Sequence, residues 1–245
     1  MRTIRERRIS RRMISILATI GLSTSMLVAS IPAEAVAKPL LRDYFSSASD
    51  TNWTFLNRVG EIKGGALWID GPYKPNPVGR DGFAVTHVGD QSWSDYSFSV
   101  SYDSTNLDGC CGVNYTMAFV RVADVQGKRP ATDYRIDVAE PGNPGDLGGG
   151  SCSEGGVLPE GMVLIIKQVD GVTAGSKIRC ASNSVTGTNL LRVVADGPTI
   201  RVFINGERVI GYTDPDPIGF GGVGVGQIWE TNGSYDNAVV RPLTY

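Results

Sequence analysis

Asp133, Arg135 and Asp137 alternate with apolar residues in the run Asp133-Tyr134-Arg135-Ile136-Asp137-Val138-Ala139-Glu140. In a β-strand successive side chains point to opposite faces, so these three share one face, and Tyr134, Ile136 and Val138 share the other. The apolar set belongs in a core. The polar set offers two carboxylates and a guanidinium, groups that hydrogen-bond neighbouring hydroxyls of a sugar. A rise of about 3.3 Å per residue puts Asp133 and Asp137 about 13 Å apart. Paired carboxylates need roughly 5–9.5 Å for glycoside hydrolysis. This spacing predicts a polar contact face, or simply a solvated one, rather than an acid–base pair.

His87 is the one histidine of the chain. It lies in Phe83-Ala84-Val85-Thr86-His87-Val88, on the strand face of Phe83 and Val85. A lone imidazole can serve as a general base, with Arg80, Asp81 or Asp95 as natural partners. The plainer reading is a packed strand histidine. A single histidine excludes a multi-histidine metal site and argues against a Ser-His-Asp triad. Among the aromatics, Tyr73 stands in a Pro- and Gly-rich stretch and is the freest to meet a ligand. Trp93 stands at a loop–strand junction. Trp68 follows Leu67 in an apolar run and is expected to be buried.

Four cysteines, Cys110, Cys111, Cys152 and Cys180, contain no C-x₂-C spacing, which argues against a zinc ribbon. Three pairings are open. A bridge between adjacent cysteines strains the peptide, so Cys152 and Cys180 are each expected to take one of Cys110 and Cys111.

The elements that must position these residues are read from composition and pattern. The chain has 245 residues, 31 of them glycine, with 23 basic and 25 acidic side chains. That near-balance excludes a protein held on nucleic acid by bulk charge. The 41% hydrophobic content excludes a disordered chain. Residues 1–37 read as an export signal. Six arginines precede a mostly apolar stretch over 13–31, and an A-x-A cleavage pattern ends it at Ala35 or Ala37. Ser10-Arg11-Arg12-Met13-Ile14 partly matches a twin-arginine signal. The mature chain over 38–245 keeps 17 basic and 23 acidic residues, a net charge of −6. It is expected outside the cytoplasm of a bacterium, in an oxidising compartment where disulfides are the default. No membrane contact is expected after cleavage.

Beyond residue 40 no helical period appears. Short alternating or apolar runs bounded by Gly, Pro, Asn or Asp predict strands near 53–59, 65–70, 83–88, 95–102, 114–122, 133–138, 162–169, 189–195, 199–205, 207–211, 222–229 and 234–241. Asn205-Gly206 is a type I′ hairpin signal, so 189–211 read as a three-stranded meander. Residues 71–82 and 139–161 are long Gly/Pro-rich connections, and loops of that length are functional or disordered. One all-β domain follows: two stacked antiparallel sheets, a sandwich of jelly-roll type.

Particular residues then suggest a family. Asp43-Tyr44-Phe45-Ser46, Trp53 and Gly65-Ala66-Leu67-Trp68-Ile69 resemble the opening of exported concanavalin A-like lectin/glucanase domains, including laminin-G-like jelly rolls. Leu191-Arg192-Val193-Val194, Thr199 to Gly206, the glycine-rich 219–226 run and Tyr235-Asp236-Asn237-Ala238-Val239-Val240 come in that family's closing order. The Trp93-Ser94-Asp95-Tyr96 segment resembles a packing landmark of the same domains. The resemblance implies a carbohydrate-linked fold that hosts lectins, hydrolases, lyases and adhesion modules. It also implies a structural calcium held by Asp43 and Asp236, with no cofactor required. Glycosidases of this fold carry Glu-x-Asp-x-x-Glu on a strand, and this chain has no such motif. The expected function is therefore a secreted module that binds a glycan or polysaccharide without catalysis. The alternatives are a hydrolase or lyase with its site on the concave sheet, and an envelope structural or adhesion protein. Arg135, Asp137, Asp133, His87, Tyr73 and Trp93 are the ligand-binding candidates.

Overall fold

The computed structural model describes residues 37–47, 52–56, 60–70, 83–103, 115–127, 129–139, 161–173, 179–182, 184–228 and 232–245. Every element among them is a strand, and the pairings are antiparallel. In chain order these are β1 Leu41–Asp43, β2 Thr54–Phe55, β3 Gly60–Lys63, β4 Ala66–Asp70, β5 Phe83–Val88, β6 Tyr96–Asp103, β7 Tyr115–Gln126 and β8 Arg129–Ala139. There follow β9 Met162–Val169, β10 Val172–Thr173, β11 Arg179–Ser182, β12 Asn189–Asp196, β13 Thr199–Ile204, β14 Glu207–Thr213, β15 Gly222–Ile228 and β16 Asn232–Pro242.

The first sheet runs β14-β13-β12-β6-β16-β4-β3, with β1 sharing an edge of β16 with β4. The second runs β10-β9-β8-β7-β15-β5-β2, with β11 beside β9. Alternation decides what lies between them. Tyr96, Phe98, Val100 and Tyr102 of β6 and Leu191, Val193 and Ala195 of β12 face inward from the first sheet. Tyr134, Ile136 and Val138 of β8, with Val223 and Val225 of β15, face them from the second. The side that the sequence assigns to the core on β8 is thus the side found there.

The expected meander is β12-β13-β14, and its turn has Asn205 at φ 52° and Gly206 at φ 88°. Both values lie in the left-handed region that a type I′ turn demands. The expected strand at 53–59 is only two residues long in β2, and a separate β3 begins at Gly60. β1, β10 and β11, of two to four residues, have no counterpart in the sequence reading. β7 and β8 run to Gln126 and from Arg129, well past the expected ends. Residues 71–82 and 140–160 of the two long connections lie outside the described residues.

Three buried tyrosine hydroxyls fasten the layers. Tyr235 of β16 donates to the Gly226 carbonyl at 2.5 Å and accepts from Gln227 Nε2 at 3.0 Å. Tyr96 of β6 lies 3.0 Å from the Gly222 carbonyl and accepts the Arg121 N–H at 2.7 Å. Tyr134 of β8 donates to Asp214 Oδ2 at 2.5 Å. Burial pushes the phenol pKa of each one up, so each stays a donor at any ordinary pH.

Candidate functional site

The outer face of the second sheet carries Asp133, Arg135 and Asp137, because β8 turns its other side to the core. Register sets their neighbours. Asp137 lies between Met117 of β7 and Leu164 of β9, Arg135 between Phe119 and Ile166, and Asp133 beside Gln168. A polar row on β8 is therefore walled on both sides by apolar strands.

Two members of the row meet. Arg135 Nε lies 2.8 Å from Asp137 Oδ1, and a terminal guanidinium nitrogen donates to Oδ2 at 2.9 Å. The second contact is a charge-assisted hydrogen bond and the first a close approach of opposite charges. Asp133 is fully buried and Asp137 is 2% exposed. The apolar walls are buried as well: Met117, Phe119 and Val85 on one side, Met162, Leu164 and Ile166 on the other. Gly226 and Gly224 of β15 let the side chains of β5 and β7 close over the strand between them. A Cβ at Gly226 would stand 2.7 Å from the Ala84 carbonyl and 3.2 Å from Met117 Cε. One at Gly224 would stand 2.8 Å from the Thr86 carbonyl.

His87 occupies the same face but not the same place. It pairs with Gly224, which pairs with Phe119, which pairs with Arg135. Three strand spacings, about 14 Å, separate His87 from Arg135. The structure therefore does not bring the imidazole to the carboxylates. Burial lowers the His87 pKa and keeps the ring neutral near pH 7.

The remaining candidates are scattered. Trp93 packs edge-on against Tyr96, with ring centroids 6.2 Å apart at 74°. Its ring lies against Gly89, where a Cβ would be 2.5 Å from Cζ3. That is a packing position, of the kind the family landmark implies. Trp68 corrects the expectation of burial: it is half-buried, with the Lys63 ammonium 5.1 Å from its ring centroid. Tyr73 lies outside the described residues, as do Cys110, Cys111 and Cys152. Cys180 on β11 is disulfide-bonded, to a partner outside the described residues.

Asp43 and Asp236 sit on paired strands, Asp43 opposite Ala238. Asp43 accepts the Phe45 N–H at 2.7 Å and the Trp53 indole N–H at 3.0 Å. Asp236 accepts the backbone N–H and side-chain amide of Asn237, at 2.6 and 2.9 Å. Both carboxylates thus serve as local caps. Among the described residues no three of His, Cys, Asp or Glu come together in a group that could hold a metal ion.

Two buried polar networks were not foreseen. Lys167 of β9 lies 3.0 Å from Asp214 Oδ2 and also donates to the Asp216 carbonyl. Asp214 receives the Tyr134 hydroxyl on one oxygen and the Asp216 N–H, at 3.0 Å, on the other. Burial raises the Asp214 pKa, but these donors and the Lys167 charge outweigh it, and the net shift is downward. The second network centres on Arg121, at φ 53° in a bulge of β7. It donates to the Ile218 carbonyl at 2.6 Å and meets Asp95 at 3.3 Å. Asp214-Pro215-Asp216-Pro217 was the one available signal, a turn-forming acidic segment before β15. Both networks hold the connection between sheets.

No family model matches the chain, and no curated protein does. Solved structures do share its architecture. The carbohydrate-binding module CBM66 from Bacillus subtilis aligns with TM-score 0.53 and 17% identity, over 78% of this chain and 96% of that one. A Bacillus subtilis protein of unknown function with a galectin-like fold gives 0.56 and 12%, over 84% and 97%. The β-glucanase of Bacillus licheniformis gives 0.53 and 9%, over 84% and 99%. Identities this low speak for the fold alone. The chain has the concanavalin A-like jelly-roll fold that its opening and closing segments resemble.

Proposed function

We propose that the mature protein is an exported bacterial carbohydrate-binding module without catalytic activity. The fold is shared with a carbohydrate-binding module and with glucanases, which supports a glycan as the ligand class. The observation that favours binding over hydrolysis is the state of the two carboxylates on β8. Asp137 is gripped by Arg135, and Asp133 is fully buried. Neither is placed as a general acid, and four residues along one strand is too far for a hydrolytic pair. The reading further assigns cleavage of residues 1–37, a location outside the cytoplasm, and a bridge from Cys180 to Cys110 or Cys111. The test is a glycan array with the 38–245 protein, followed by assays for reducing ends and unsaturated products on every polysaccharide bound. Binding with no product supports the proposal. Product release moves the protein to the hydrolase or lyase reading, and no binding at all to the structural one.

A further inference from the structure

The outer face of the first sheet collects arginines from five strands. One cross-strand row reads Arg42 on β1, Val239 on β16, Ser99 on β6, Arg192 on β12, Phe203 on β13 and Arg208 on β14. The next row, two residues along, reads Arg241, Ser97, Val194, Arg201 and Gly211. Neither row contains a carboxylate. At about 4.8 Å per strand, Arg42 stands about 14 Å from Arg192, and Arg192 about 10 Å from Arg208. The two rows are about 7 Å apart.

These cations are seated but mostly unspent. Arg192 lies 4.2 Å over the Phe203 ring. Arg208 lies across the bare backbone of Gly211, in the space that a side chain there would fill. Val194 points outward yet is only 8% exposed, as expected where arginine stems lie along apolar surface. Arg201 is ion-paired to Asp196, which also accepts the Tyr245 hydroxyl. Arg42, Arg192, Arg208 and Arg241 have no carboxylate partner among the described residues. In a mature chain of net charge −6, two adjoining rows this basic are a local segregation of charge that composition conceals, with the carboxylates of Asp236 and Asp103 standing further along the same face.

We propose that this face binds a linear polysaccharide bearing carboxylates. A guanidinium fork matches a carboxylate at two points. Ser97 and Ser99 run along the middle strand and offer hydroxyls to sugar hydroxyls between the charges. Sites for single-stranded nucleic acid rely on open aromatic faces. Here the Phe203 ring lies under Arg192, and the Trp68 ring faces Lys63. The proposal stands whether or not the second sheet binds a neutral glycan.

The probe is polygalacturonate, titrated calorimetrically against the 38–245 protein. Its methyl ester, inorganic polyphosphate of matched charge density and a neutral β-glucan run alongside. Expected is binding to polygalacturonate that weakens by about tenfold or more as salt rises from roughly 50 to 200 mM, since exposed charges are screened over that range. The triple variant Arg42→Ser/Arg192→Ser/Arg208→Ser should lose at least about tenfold in affinity, with its response to the neutral glucan unchanged. Lysine at the same three positions should recover only part of the loss, because the charge returns without the fork. If the serine variant fails to fold, glutamine at the three positions keeps the stems and is read in the same way. The proposal is overturned if polygalacturonate does not bind, or if the triple variant binds it as the wild type does. Equal binding of the methyl ester or of polyphosphate overturns it too.

Discussion

Asp137 shows how much a single side chain can depend on a neighbour two residues away. The residue is 2% exposed, and the Arg135 guanidinium is a charged partner of its carboxylate. Removing one member of a buried ion pair strands the other charge, at a cost of about 3–5 kcal/mol. Arg135→Ala should therefore lower the stability measured by urea unfolding by that amount. The double variant Arg135→Met/Asp137→Leu should recover most of it, since a well-packed apolar pair removes the stranded charge. Similar losses in both would show that the pair holds something beyond itself. His87 gives a pH signature. Its folded pKa lies below the free value of 6.5 because burial disfavours the charged ring. The unfolded chain then binds the proton first. The contribution is complete above pH 6.5 and is lost as pH falls from there through the lower folded value. His87→Gln should flatten the melting temperature between pH 7 and 5, and an unaltered slope would assign it to other groups.

Elements were legible where local chemistry decides them. The Asn205-Gly206 turn is one case: two positive φ values are needed, and these two residues supply them cheaply. Asn205 Oδ1 also accepts the Leu190 N–H, at 2.9 Å, which holds β12 beside the turn. Gly206→Ala is expected to cost about 1–2 kcal/mol, the penalty for placing a Cβ in the left-handed region. A thermal melt with no detectable shift would mean that the turn relaxes into another type. β1, β3, β10 and β11 were not legible, because strands of two to four residues carry too few alternations to show a period. Their identity comes from the partner: β1 and β4 divide one edge of β16, and β10 and β11 divide one edge of β9. The bulge at Arg121 was hidden for a related reason. A positive φ at arginine is unfavourable locally and is held here by the Tyr96, Ile218 and Asp95 contacts.

At the scale of the whole molecule, buried polar groups join elements far apart in the chain. Tyr134, Lys167 and Asp214 link β8 and β9 to the connection before β15. Asp214 has a folded pKa below 3.8, so its contribution is complete above pH 3.8 and is lost as pH falls through the lower folded value. Acid unfolding should therefore steepen below pH 4. Asp214→Asn should be less stable at pH 7 and show a flatter acid limb. Parallel acid limbs for the two proteins would remove Asp214 from the account. The same scale governs charge. A formal balance of 23 basic and 25 acidic residues looks featureless until the first sheet places five arginines in two adjoining rows.

What the sequence determined by itself follows from period and turn chemistry. Alternation assigned Tyr134, Ile136 and Val138 to the core and Asp133, Arg135 and Asp137 to the opposite face. Gly, Asn, Asp and Pro marked most strand ends, and together these implied an all-β sandwich. Tertiary structure decided whatever depends on strand order and register, since neither is encoded within a strand. It put two strands, β15 and β7, between His87 and Arg135, turned Trp68 outward beside Lys63, and gave the Asp43 and Asp236 carboxylates N–H donors close at hand. It also set the Arg135 guanidinium 2.9 Å from Asp137 on a largely buried face, which polarity alone did not imply. The arginine rows are the clearest instance. Arg42, Arg192, Arg208 and Arg241 lie up to 199 positions apart in sequence and become neighbours only when β1, β16, β6, β12, β13 and β14 pair in one register.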